Sequence, residues 1–206
     1  MRIRTILSAA AAGAALLTLV VTRSAAGQTP ATADFTAAHR FVVDHQDMRA
    51  AQALGVASVY VRQELGRSHD ESVGVRLMGA ERRLDGLVAR LRASRAPAIV
   101  SLDSVFADID ALLAEHHWRM ARWELTDRRN ATRASVGEDL DAAARFFARS
   151  FTFLGREPEP DAARAIADAR RVAGQIAATD VLPKDVSQVI DALGKHLVAP
   201  VAIAVR

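Results

Sequence analysis

Two short segments bring together residue types that can ligate a metal: His45-Gln46-Asp47-Met48 and His116-His117-Trp118-Arg119-Met120. A His and a Met three or four positions apart share one face of a helix, and imidazole with thioether is a donor set that suits copper, Cu(I) above all. If the helices carrying them met, His45, Met48, His116 or His117, and Met120 would supply a four-ligand copper site. The same His and Met residues could hold a b-type haem from its two axial sides. The plainer reading makes His116 and Met120 core residues and leaves His45 and His117 facing solvent.

Other chemistry is excluded or unsupported. Without cysteine there is no Cys-x-x-Cys-His haem attachment, no thiolate zinc site, no thiol nucleophile and no disulfide framework. Bundle di-iron sites need Glu-x-x-His pairs, and the order Glu115-His116-His117 sets the acid beside the histidines. A Gly-x-Ser-x-Gly elbow, a phosphate-cradling loop and a His-Glu-x-x-His motif are all missing. Asp108 with Asp110 and Asp139 with Asp141 stand two apart, so neither pair shares a helix face, and both read as solvated surface. The expectation is a non-catalytic protein with no cofactor, copper or haem b being the alternative.

These residues sit in a sequence that reads as helix almost throughout. A first long helix is predicted over 33–66, apolar nearly all round and so expected at the centre of the domain. A second opens at the capping box Ser68-His69-Asp70-Glu71 and carries Leu77, Ala80, Leu84, Leu87 and Leu91 as one stripe before stopping ahead of Pro97. A third begins near Ser101, with Leu102, Val105, Ile109, Leu112, His116, Met120 and Trp123 on one face. The fourth opens at Ser135-Val136-Gly137-Glu138, gathers Phe146, Phe147, Phe151 and Phe153, and ends at Gly155. The segment 156–160 contains Pro158 and Pro160 and breaks the chain. A fifth helix then starts at Pro160 with Ile166, Ala169, Ala173 and Ile176 facing inward, and a sixth runs from about Pro183 through Leu197. The fold class expected is all-α: an antiparallel up-down bundle of four main helices plus two shorter C-terminal helices.

The ends carry their own signals. Arg2 and Arg4 precede an apolar run from Ile6 to Val21 and the small residues Ser24-Ala25-Ala26-Gly27, the plan of a secretory signal peptide. The run falls short of the roughly 20 residues that span a bilayer. Residues 1–27 are therefore read as a cleaved signal peptide, with 28–206 a single helical domain whose residues 28–32 form a flexible start. The destination is periplasmic or extracellular, with no stable membrane span after cleavage.

Three of the 27 basic residues, Arg2, Arg4 and Arg23, lie in that leader, and none of the 24 acidic ones does. The remainder is balanced in charge, which argues against nucleic acid as a partner. The expected partners are another envelope protein, a second copy of the chain, or a small hydrophobic ligand held between helices. Two features complete the reading. Asn130-Ala131-Thr132 matches a glycosylation sequon of little meaning in a bacterial-looking sequence, and the apolar stretch from Leu197 to Val205 is expected to cap the core.

Overall fold

The computed structural model describes residues 30–127 and 132–198. The predicted leader and its cleavage point, Asn130 of the sequon, and the tail beyond Val198 lie outside them. The described chain is all-helical: α1 (Pro30–Val43), α2 (Asp47–Arg67), α3 (Glu71–Arg92), α4 (Ile99–Thr126), α5 (Arg133–Phe153), α6 (Pro160–Thr179) and α7 (Val186–Leu197). No described helix is long and apolar enough to cross a membrane.

The single helix predicted over 33–66 is two. His45 takes a left-handed conformation, with φ of 56°, and the chain turns back through 44–46 so that α2 packs on α1. The all-round apolar pattern came from adding two stripes. Phe35, Ala38 and Val42 face the core from α1, and Leu54, Ala57 and Val61 from α2, each at three-four spacing. α1 begins at Pro30, within the segment 28–32.

The central helix is α4. It packs against α1, α3, α5 and α7, so its buried surface extends well beyond the predicted stripe to Phe106, Leu113, His117 and Trp118. The stripes predicted for α3, α6 and α7 are buried as expected, Leu77, Leu84, Ile176 and Leu193 among them.

Side chains that pair between helices fix the registers. Ser58 donates to Asp85 at 2.7 Å and Arg62 meets Glu81 at 2.5 Å between α2 and α3. Arg76 reaches Glu115 at 2.6 Å and Arg83 reaches Asp108 at 3.3 Å between α3 and α4. Arg149 grips Asp110 with two hydrogen bonds between α5 and α4.

The helix ends show which cap prevails where two compete. Asp70, not Ser68, caps α3, its carboxylate accepting from the N–H groups of Ser72 and Val73, and Thr132, three residues before the predicted Ser135, caps α5. Side-chain acceptors at such positions satisfy N–H groups that the first turn leaves free. Gly155, at φ of 60°, ends the α5 segment in the left-handed turn its type favours, and Pro160 opens α6 as predicted.

Candidate functional site

Successive residues on a helix point about 100° apart, so the adjacent His116 and His117 of α4 reach different partners, and both are buried. Toward α5, His117 Nδ1 donates to Asp139 Oδ1 at 2.6 Å. Its Nε2 then accepts from the Tyr60 hydroxyl of α2 at 3.0 Å, a phenol kept protonated because burial and the nearby Glu64 charge push its pKa up. Toward α2, His116 Nε2 lies 3.1 Å from Glu64 Oε2. Arg67 closes the circuit, donating to Glu64 at 3.0 Å and to Asp139 at 2.9 Å. The His117 ring stacks on Phe146 with centroids 5.5 Å apart. Two carboxylates buried without partners would cost several kcal/mol each, on the order of the penalty for any desolvated ion. Here each has an imidazole and one arm of a shared guanidinium.

The protonation states follow from the surroundings. Burial alone would raise Glu64, but the His116 hydrogen bond, the nearby His117 ring and the Arg67 charge outweigh it and hold the carboxyl below its ordinary value. Burial pushes His116 the other way, below the usual imidazole range, against the pull of Glu64. Glu64 is thus the acceptor and His116 a neutral Nε2–H donor.

Asp139, His117 and Tyr60 form a carboxylate-imidazole-hydroxyl line, the arrangement that activates a nucleophile when the hydroxyl is reachable. Tyr60 is only 9% exposed, and none of the three lines the cavity nearby. The line works as a buried brace between α2, α4 and α5.

That cavity, about 340 Å³, lies between the α2–α3 turn and the C-terminal half of α4, with His116 in its wall. Val73, Trp118, Met120 and Trp123 give it apolar and aromatic lining. His69 stacks on Trp123 with centroids 4.1 Å apart. Trp118 is locked from behind, its Nε1 donating to the Ile190 carbonyl of α7 at 2.7 Å. Gly194 makes room for it, since a Cβ there would overlap the indole.

Two cations lie over the Trp118 ring: the guanidinium of Arg122 at 5.6 Å and that of Arg119 at 5.8 Å from its centroid. They differ in what holds them. Arg119 is neutralised by Asp70 and by Glu115, whereas Arg122 has no carboxylate partner among the described residues. Asp70 itself is kept below the ordinary carboxyl range by the Ser72 hydroxyl and the helix N–H of Val73, with Arg119 adding to this. The cavity therefore joins aromatic walls to a positive charge, that of Arg122, which no carboxylate among the described residues pairs.

The two His/Met pairs are not brought together. His45 and Met48 sit at the α1–α2 turn, on a shallow depression shared with Ser94, and Met48 is 59% exposed. Glu64, which touches His116, lies sixteen residues further along α2, about 24 Å at the helical rise. His116 and Met120 share one cavity wall, while His117 turns away into the brace and does not face solvent as expected. Among the described residues no group of three or more His, Asp or Glu is placed to hold a metal ion.

Two of the acids read as surface are core residues: Asp139 is 2% exposed and Asp110 fully buried. Burial pushes Asp110 up to about 6 despite the bonds from Arg149. Tyr60, Glu64 and Arg67 complete the set that sequence reasoning missed. The signal available for Glu64 was its place on the stripe of Ala57 and Val61. No protein-family model matches this chain, and neither a curated protein nor a solved structure is found to match it.

Proposed function

We propose that this is an exported, non-catalytic binding module: an antiparallel up-down bundle of α2 to α5, braced by α1, α6 and α7, that holds a small amphipathic anion beside Trp118 and Trp123. The observation that carries the reading is the cavity itself. Its volume of about 340 Å³ falls within the usual range for small-molecule sites, which are mostly apolar with a few polar groups to fix orientation. Aromatic faces suit a flat or aliphatic body. Arg122 supplies a cation that no described carboxylate neutralises, which suits a carboxylate or sulfonate on the ligand. The apolar leader and the balanced charge of the rest of the chain support export to the periplasm or beyond, where the source of the ligand or an envelope partner would be met.

Trp118 and Trp123 are the chain's two tryptophans, so occupancy of the cavity should register directly in intrinsic fluorescence. Titration with 2-naphthoate is expected to quench the emission saturably, and 2-naphthalenemethanol, which lacks the charge, to bind more weakly. Arg122→Ala should raise the naphthoate Kd about tenfold, the equivalent of about 1.4 kcal/mol, with the far-ultraviolet circular dichroism unchanged. A response that does not saturate, or one indifferent to both the ligand's charge and Arg122, would remove the basis for the proposal.

A further inference from the structure

The wall of the cavity beside Trp118 holds one buried nitrogen with no hydrogen-bond partner among the described residues. His116 lines that cavity and is only 1% exposed. Its Nε2–H is engaged by Glu64 at 3.1 Å, and burial holds the ring neutral, so Nδ1 carries a lone pair that accepts and does not donate. Nδ1 is nonetheless not sealed from solvent. A polar atom at this depth takes its partner from water or from a ligand. The neighbouring polar groups of the wall are engaged within the protein. The Trp118 N–H donates to the Ile190 carbonyl at 2.7 Å, and the Ser68 hydroxyl to the Asp70 carbonyl at 3.0 Å. The Asp70 carboxylate accepts from Ser72, Val73 and Arg119, and Arg119 donates to Glu115 as well. His116 Nδ1 is thus the buried acceptor left for an occupant.

Arg122 stands six residues further along α4, about 9 Å by the helical rise, with its guanidinium over the Trp118 ring. A carboxylate set against the Nδ1 lone pair would be repelled, so the acid belongs at the Arg122 end. We infer that His116 Nδ1 selects the ligand by accepting a hydrogen bond from a hydroxyl or N–H at the end opposite the acid. The ligand class is then a hydroxyaryl or indolic carboxylate and not a plain aromatic acid. This inference rests on the reading of the cavity as a site for an amphipathic anion and supplies its second polar contact. An acceptor in this position discriminates against an analogue without the donor, because that analogue displaces water from the nitrogen and puts nothing in its place.

Calorimetric titration at neutral pH with 2-naphthoate and with its 5-, 6- and 7-hydroxy derivatives tests the selection. At least one hydroxy isomer should bind about fivefold more tightly than 2-naphthoate, the effect of one neutral hydrogen bond, and its methoxy counterpart, which cannot donate, should lose that gain. Saturable binding of 2-naphthoate with no gain from any hydroxyl would overturn this inference and leave the anion site standing, whereas no binding of any naphthoate would remove both. Nitrogen-15 resonances of the histidine rings give a second readout in the unaltered protein. The unprotonated nitrogen of His116, assigned by its loss in His116→Gln, should move upfield when the preferred hydroxynaphthoate binds and stay in place with 2-naphthoate. A tighter hydroxy ligand that leaves this resonance unmoved would place the new contact elsewhere and overturn the role of His116.

Discussion

At the scale of single residues, the chemistry-bearing side chains serve first as a brace. Glu64, His116, His117, Asp139, Tyr60 and Arg67 satisfy one another in the core, and a network of this kind stabilises only while every member keeps its partner. Its proton inventory sets a pH dependence. The folded state holds His116 neutral at pH values where an unfolded imidazole, with a pKa of about 6.5, takes up a proton. The unfolded chain then binds more protons than the folded one. Stability tied to His116 is therefore present above about pH 6.5 and is lost as the pH falls through its lowered folded value. Glu64, lowered from 4.5, adds a further loss in stronger acid. Urea midpoints measured from pH 7.5 down to 5 should fall, and His116→Gln, which keeps an N–H for Glu64 but cannot take the proton, should flatten that fall. An unchanged slope in the variant would assign the effect to another group.

The same scale shows where sequence reading stopped. It found His116 and His117 by type but took Asp110 and Asp139 for surface. A spacing of two puts neighbours on nearly opposite sides of a helix, so if Asp108 and Asp141 are partly solvated, Asp110 and Asp139 point inward. Only the positions of Phe106 and Val136, a turn earlier on the same faces, could have revealed it.

At the scale of elements, the stripes of α3, α6 and α7 were legible because each helix buries one face, and three-four periodicity reports a single face well. The α1–α2 turn was not, because it uses neither Gly nor Pro. Residues 44–46 are Asp, His and Gln, and the reversal rests on one left-handed histidine. Nor was the central role of α4 evident, since its predicted stripe describes only one of the several neighbours it meets. The fit of α7 on α4 depends on Gly194. Gly194→Ala would drive a methyl group into the Trp118 ring, and relief requires moving the indole off its hydrogen bond to Ile190. The expected cost is about 1–3 kcal/mol, the usual range for overpacking a core, with an altered tryptophan emission spectrum in the folded state. Guanidinium unfolding followed by circular dichroism, together with that spectrum, checks both; loss of stability below about 0.5 kcal/mol would mean the helices separate more easily than this packing allows.

At the scale of the whole molecule, the all-α class followed from periodicity, whereas the site did not, because it is assembled from residues distant in sequence. The proposed ligand cavity takes His69 and Asp70 from the turn before α3 and Trp123 from α4, and neither segment carries a ligand-binding motif by itself. The His/Met spacing that did look like a motif belongs to two unconnected places, an exposed turn and a cavity wall. On the proposed reading, the protein takes up its ligand in the compartment that it reaches after export. Native mass spectrometry of the protein exported from its own leader, without added metal, tests that most directly. The mass expected is that of a chain beginning near Gln28 that carries, or takes up from added 2-naphthoate, one small organic anion, with the adduct diminished in Arg122→Ala. A mass raised instead by copper or haem, or a chain that takes up no anion at all, would contradict it.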